Sequence, residues 1–264
     1  MIMQTHPLIK PLPRQSRQHH GVEIEGLSLS LADKAILQDI SLRLPDAGIT
    51  TVIGPSGAGK SSLLRCLNGL HQQWQGEILL QRRDVRHWPG GGDLLRRHVG
   101  LIGQKPCVFP HSIRANVVFG IQGRRKRRKA DGIVETVLKQ AALWDEVKHR
   151  LHEPAESLSL GQQQRLCIAR ALAIRPGLIL LDEPTASLDP RSKQLIEQSI
   201  RQLAGTMPVV CVTHDLEQAR RLGGGVIFMC EGRVIEEAAC ESFFTQPQRL
   251  ESREFLRWTV CDCD

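Results

Sequence analysis

The chain contains no tyrosine, and six phenylalanines and four tryptophans bring its aromatic share to only 4% of 264 residues. So few flat rings leave little for stacking exposed bases, and nucleic acid is not an expected partner despite a formal charge of +7. No apolar run approaches the roughly 20 residues of a membrane-crossing helix. Residues 1–20, MIMQTHPLIKPLPRQSRQHH, lack a continuous apolar segment, so no secretory signal is expected and they read as a polar tail. The eight cysteines (66, 107, 167, 211, 230, 240, 261 and 263) form no C-x-x-C pair. Cys167, Cys211 and Cys230 sit in apolar runs and read as small core residues, and the terminal CDCD offers too few ligands for a metal site. Unpaired thiols of this kind fit a reducing compartment.

What is present is ordinary for a folded domain: 41% hydrophobic and 24% charged residues. Much of the positive excess lies in RRKRRK, Arg124 to Lys129. The run reads first as a solvated loop, and second as a contact for anionic headgroups or a membrane partner.

Val22–Leu31 alternates as a strand, as do Ile40, Leu42 and Leu44 before a PDAG turn. GITTVIG then enters a glycine-rich loop, and Lys60–Leu70 continues as a helix. Gly76–Leu80 and Val99–Ile102 read as short strands. From Gln104 to Pro176 strand signals vanish; Ile113–Phe119, Ala130–Leu143 and Gly161–Ile174 read as helices. Strands return at LILLD (178–182), VVCVTH (209–214) and VIFMC (226–230), and short helices are expected between Ser242 and Trp258. Strands alternating with helices predict an α/β fold with a mostly parallel sheet covered on both faces.

GPSGAGKSS spans Gly54, Pro55, Ser56, Gly57, Ala58, Gly59, Lys60, Ser61 and Ser62 and fits G-x-x-x-x-G-K-[ST] between strand and helix. Glycines let backbone N–H groups curl around phosphate oxygens, and the helix N-terminus adds partial positive charge. Lys60 would reach the β- and γ-phosphates, and Ser61 would offer its hydroxyl to Mg²⁺. LILLDEP ends an apolar strand on Asp182, placed for the Mg²⁺ shell, and on Glu183, placed to polarise the attacking water. VVCVTHD sets His214 at another strand end, within reach of a γ-phosphate and of that carboxylate.

SLSLGQQQRL poses a separate question. Ser159 and Gln162 form an S-x-x-Q capping box, and Leu166, Ala169, Leu172 and Ala173 share an apolar face of the helix that follows. The capped N-terminus is a second anion site. The chain's own nucleotide already has the Gly54–Ser62 loop, so one solution is the nucleotide of a second subunit.

The ordered set GPSGAGKS, Gln104, LSLGQQQR, LILLDEP, SLD (Ser187 to Asp189) and THD resembles the ATP-binding subunits of ABC transporters, from Val22 onward. FPHSIRANVVFG, AALWDEVKHRLHEPA and QQQRLCIARALA narrow the resemblance to those of bacterial phosphate importers. It implies a RecA-like P-loop NTPase fold with an antiparallel β edge and an inserted helical subdomain. Residues 21–264 would form one ABC ATPase domain, 21–103 and 177–264 its nucleotide-binding core and 104–176 the helical subdomain. It implies a head-to-tail homodimer holding two ATP molecules, each between one chain's P-loop and Ser159, Gly161 and Gln162 of the other. Asp189 would cross that interface, and Gln104 would touch the Mg²⁺ or the water. The helical insert would dock on a transmembrane permease at the cytoplasmic face of the membrane. A periplasmic or extracellular phosphate-binding protein would be an indirect partner. A related oxyanion such as phosphonate or molybdate is the alternative cargo. A non-transport ABC ATPase, or an ATP-switched binding module without catalysis, is the alternative class.

Three positions depart from the family pattern. Leu160 replaces a glycine in the signature; a left-handed backbone there would cost about 1–2 kcal/mol, whereas in a first helical turn leucine is tolerated and only adds bulk. Slower turnover or shifted affinity is the expected result. Near Ser30 and Leu31 no aromatic is available to stack on adenine, so weak adenine selectivity is expected. Gly103 stands where an aromatic is common and is expected to loosen the loop carrying Gln104.

Overall fold

The computed structural model describes residues 21–123, 128 and 130–260, with the side chains of 258–260 excepted. The polar tail, the CDCD terminus and all of the basic run except Arg128 lie outside the described residues.

Two sheets are stacked. The first is antiparallel, in the order β2 (Lys34–Leu44), β1 (Val22–Leu31), β4 (Trp74–Leu80), β5 (Arg83–Asp84). The second has the order β10 (Arg233–Ala239), β9 (Gly225–Cys230), β3 (Gly48–Ile53), β8 (Pro208–Val212), β7 (Leu178–Asp182), β6 (Val99–Ile102). Every pairing in it is parallel except β9 with β10. The antiparallel component is therefore one whole sheet plus one edge strand of the other.

Unbroken apolar runs in β7 and β8 follow from burial of the large sheet on both faces. Side chains alternate across a strand. Leu178 and Leu180 of β7, with Val210 and Val212 of β8, join β1, β2 and helix α1 (Lys60–Leu67) in one core. Ile179, Leu181, Val209 and Cys211 face the opposite way, into a core shared with the helices. Leu180 and Ile179 are fully buried. Truncating either to alanine would cost about 2–5 kcal/mol. A third cluster stacks Phe228 on Phe255, ring centroids 4.8 Å apart, and fastens the C-terminal helices to β9.

Between β6 and β7 the described residues form helices and loops: α3 (Ile113–Val118), α4 (Asp131–Gln140), α5 (Trp144–Val147) and α6 (Leu160–Leu172). The earlier α2 (Gly92–His98) and the later α7 (Pro190–Ala204), α8 (Leu216–Leu222), α9 (Cys240–Thr245) and α10 (Leu250–Val260) lie outside that stretch. Buried Asn116 shapes the loop entering α3, donating to the carbonyls of Phe109, His111 and Ser112 and accepting from the Phe109 amide. Among the described residues no helix is long and apolar enough to cross a membrane.

The element bounds follow the sequence pattern closely at β1, β3, β6 and β7. Sequence reading missed α2, which begins on the third of three consecutive glycines, and β10, whose adjacent Glu236 and Glu237 break the apolar pattern. Strands β3, β8, β7 and β6 are neighbours and run in one direction. Their carboxyl ends therefore deliver the Gly54–Ser62 loop, His214, Asp182 with Glu183, and Gln104 to one edge, where open α/β sheets gather ligands.

Candidate functional site

A cleft of about 640 Å³ opens at that edge, lined by Ser56 to Ser62, Gln104, Glu183, the β2 residues Lys34, Ala35, Ile36 and Gln38, and Glu231 and Gly232. The loop reaches it because glycines tolerate what other residues cannot. Gly59 caps α1 at φ 94°, and a Cβ there would lie 2.7 Å from Leu37 Cδ2 and 2.8 Å from the Ile36 carbonyl.

Lys60 is 7% exposed, and its ammonium donates to the carbonyls of Gly54 and Pro55, 2.8 Å each. Burial lowers its pKa from the usual lysine range, opposed by the charges of Glu183 and Asp182. Ser61 Oγ donates to Asp182 Oδ1 at 2.8 Å, which joins the P-loop helix to the end of β7. Next to it Glu183 adopts φ 48°, a left-handed backbone that is strained for glutamate and clusters at functional sites. One of its oxygens, Oε2, meets both Gln104 Nε2 and His214 Nδ1, each 3.1 Å away. The structure thus brings together Lys60, Ser61, Gln104, Asp182, Glu183 and His214, residues drawn from four strand ends.

The second group lies elsewhere. None of Ser159, Gly161, Gln162 and Asp189 lines the P-loop cleft. Ser159 caps α6: its Oγ accepts from the Gln162 amide and Gln162 Oε1 accepts from the Ser159 amide at 3.0 Å, the expected capping box. Asp189 caps α7, accepting from the Ser192 amide at 3.0 Å. Gly161 packs onto that cap: a Cβ would collide with Ser192, 2.6 Å from its Cβ. Leu160 occupies the first helical position with ordinary helical φ and is 47% exposed. Of the two alternatives the structure has the first-turn one: no left-handed strain arises, and the leucine only adds bulk at the helix tip.

Two further expectations change. Ser30 and Leu31 do not line the cleft; Lys34, Ala35, Ile36 and Gln38 border it instead, and no aromatic residue does so among the described residues. Gly103 does not leave its loop without a tie, because its carbonyl accepts a hydrogen bond from Gln164 Nε2 at 3.0 Å.

Sequence reasoning also missed the supports. Gln162 Nε2 donates to Glu146 Oε2 at 2.7 Å, and Arg165, 2% exposed, grips the same carboxylate at 2.6 and 3.1 Å. Gln218, fully buried on α8, donates to Thr185 Oγ1 at 2.7 Å and so ties the segment after Glu183 to the helix after His214. Polar residues on buried helix faces were the available signal.

Burial pushes the Glu146 carboxyl up, but hydrogen bonds from Arg165 and Gln162 and the charges of Arg165 and Arg191 outweigh it and hold the pKa below the usual 4.5. A depressed folded-state pKa contributes stability above the unfolded value and loses it as pH falls through the folded one. Glu146→Gln leaves buried Arg165 facing a neutral amide. Its expected cost at neutral pH is about 2 kcal/mol, below the fully buried range because Glu146 is one-third exposed. Thermal melts across pH check this: the gap between variant and parent should be full at pH 7 and shrink below the carboxylate range.

A family model described as ABC transporter matches residues 37–186. The phosphate import ATP-binding protein PstB 1 of Vibrio cholerae is 45% identical over 246 residues, 90% of each chain. The phosphate import ATP-binding protein PstB of Shewanella denitrificans is 43% identical over 96% of this chain and 95% of its own. Among solved structures, a bacterial Atm1-family ABC exporter with ATP bound superposes with a TM-score of 0.80 at 24% identity. That match covers 97% of this chain and 44% of the exporter, and it supports the fold.

Proposed function

Because the chain belongs to the ABC transporter family as an ATP-hydrolysing subunit, we propose that it energises uptake of inorganic phosphate through a separate membrane permease. The observation that carries the catalytic reading is the single Glu183 oxygen shared by Gln104 and His214, beside the Ser61–Asp182 pair. Glu183 orients and takes a proton from the attacking water, His214 meets the γ-phosphate, and Lys60 leaves its loop carbonyls for the β- and γ-phosphates. Ser61 and Asp182 already present a hydroxyl and a carboxylate side by side, a hard-oxygen pair suited to Mg²⁺, with Gln104 near. When bound, the ion neutralises charge on the transferring phosphoryl group.

In this reading Ser159, Gly161, Gln162 and Asp189 serve a second chain. Their separation from the P-loop cleft means one chain's cleft lacks the signature helix tip, and a head-to-tail homodimer supplies it. The helical segment 104–176 meets the permease through a groove of about 300 Å³ where Cys107, Phe109, Phe119 and Arg170 come together. Phe119, packed on Phe109 with ring centroids 4.3 Å apart, is 47% exposed there. The chain then sits at the cytoplasmic face of the membrane.

Reconstitution tests the cargo. Hydrolysis by the chain with a phosphate permease in lipid vesicles should rise when the binding protein is loaded with phosphate. Stimulation by molybdate or phosphonate instead would reassign the cargo, and a chain that never binds permease would sink the transport reading.

A cleft bordered by Lys34, Ala35 and Ile36 forgoes base–aromatic stacking worth about 1–3 kcal/mol. Stacking would favour either purine about equally, so its absence weakens both nucleotides, and with no base-reading contact assigned in this reading GTP is expected to compete with ATP to within about tenfold in a binding assay. A strong preference for ATP would show that another contact reads the base.

A further inference from the structure

Gln164 lies one turn into α6, the helix whose tip carries Ser159, Gly161 and Gln162. It is 1% exposed. Its amide nitrogen donates to the carbonyl of Gly103 at 3.0 Å, while its side-chain oxygen has no hydrogen-bond partner among the described residues. Gly103 directly precedes Gln104, whose own amide donates to Glu183 Oε2. A short chain of contacts therefore runs from the signature helix through Gln164, Gly103 and Gln104 to the catalytic carboxylate.

This is a poor arrangement for stability alone. A half-satisfied amide in a buried site leaves an acceptor without compensation, and an apolar residue of the same length would fill the space without that loss. A Cβ on Gly103 would meet nothing within 4 Å, so no neighbour packs against that side of the residue. The one polar tie sets where Gln104 begins.

We infer that Gln164 is a positioning residue: its hydrogen bond to the Gly103 carbonyl places Gln104 against Glu183 and makes that placement follow the position of the signature helix. It rests on the reading that Gln104 acts in hydrolysis. When α6 engages a second chain's nucleotide, any shift of the helix is passed through Gln164 to the loop of its own P-loop site. Each half of a dimer would thus sense occupancy of the other's cleft through a single buried amide.

The test is steady-state ATP hydrolysis and thermal melting of the full chain with magnesium, for the parent, Gln164→Met, Gln164→Leu, Gln104→Ala and Gln164→Met with Gln104→Ala. Methionine and leucine keep the volume and remove the donor. The expected result for both is a melting temperature equal to or above the parent's, with kcat about tenfold lower and KM for ATP nearly unchanged, as for a mispositioned catalytic group. The double variant should be no slower than Gln104→Ala alone, because the two residues act in series. Multiplying defects would overturn the inference, as would a loss of melting temperature that matches the loss of rate. If Gln104→Ala hydrolyses at the parent rate, the role given to Gln104 falls, and this inference falls with it. A defect in Gln104→Ala that Gln164→Met does not share leaves the catalytic reading standing and removes Gln164 from it.

Discussion

Glu183→Gln is expected to slow ATP hydrolysis by about 10²–10⁴-fold, the contribution of a positioned general base. The substitution is close to a clean removal of basicity. Glutamine has the size of glutamate, and its oxygen can still accept from Gln104 Nε2, the contact now at 3.1 Å. The backbone at φ 48° is strained for either residue, so the change adds no new conformational cost. What is lost is the capacity to take a proton from water. Nucleotide binding should survive, since Lys60, Ser61 and Asp182 are untouched. With ATP bound and turnover blocked, the variant should accumulate as a dimer, measured by light scattering after size exclusion. A variant that binds ATP yet stays monomeric, even with its permease, would remove the two-chain site. A variant that keeps its rate would remove Glu183 as the base.

The parts of this site legible in the sequence are those whose chemistry is local. A phosphate loop must place glycines, a lysine and a hydroxyl within nine consecutive residues, so Gly54–Ser62 reads directly. Asp182 and Glu183 read because β7 is a continuous apolar run that stops at them, and the stop is visible whether or not the partner strands are known. The capping box at Ser159 and Gln162 reads for the same reason. Glu146 did not read: it meets Arg165 across 19 residues and across a helix junction, and its charge alone looks like solvated surface. Glu236 hid β10 in the same way. It is 7% exposed because its two oxygens accept the amides of Gln248 and Arg249 at the start of the last helix. Gln164 and Gln218 look like ordinary helix formers until burial shows that their amides have a single partner each. Local pattern finds the groups proposed to touch the nucleotide; only tertiary contact finds the groups that hold them.

Lys60→Ala is expected to lower kcat/KM by at least about 10²-fold, as the loss of charge-assisted hydrogen bonds worth about 1.5–3 kcal/mol each implies. The ligand-free protein should barely notice. Burial already disfavours the ammonium, as its lowered pKa records, and this offsets the loss of its hydrogen bonds to the buried Gly54 carbonyl and to the carbonyl of exposed Pro55. The two effects oppose each other, so the melting temperature without nucleotide should stay near the parent's. The difference should appear on adding ATP. A ligand present at 100 times its dissociation constant stabilises the parent by about 2.7 kcal/mol. With affinity reduced a hundredfold the same ATP concentration would give only about 0.4 kcal/mol, and the upward shift in melting temperature should all but vanish. Equal ATP-induced shifts in parent and variant would mean that Lys60 serves its own loop and not the phosphates, and the catalytic arrangement built around Glu183 would then need another source of positive charge.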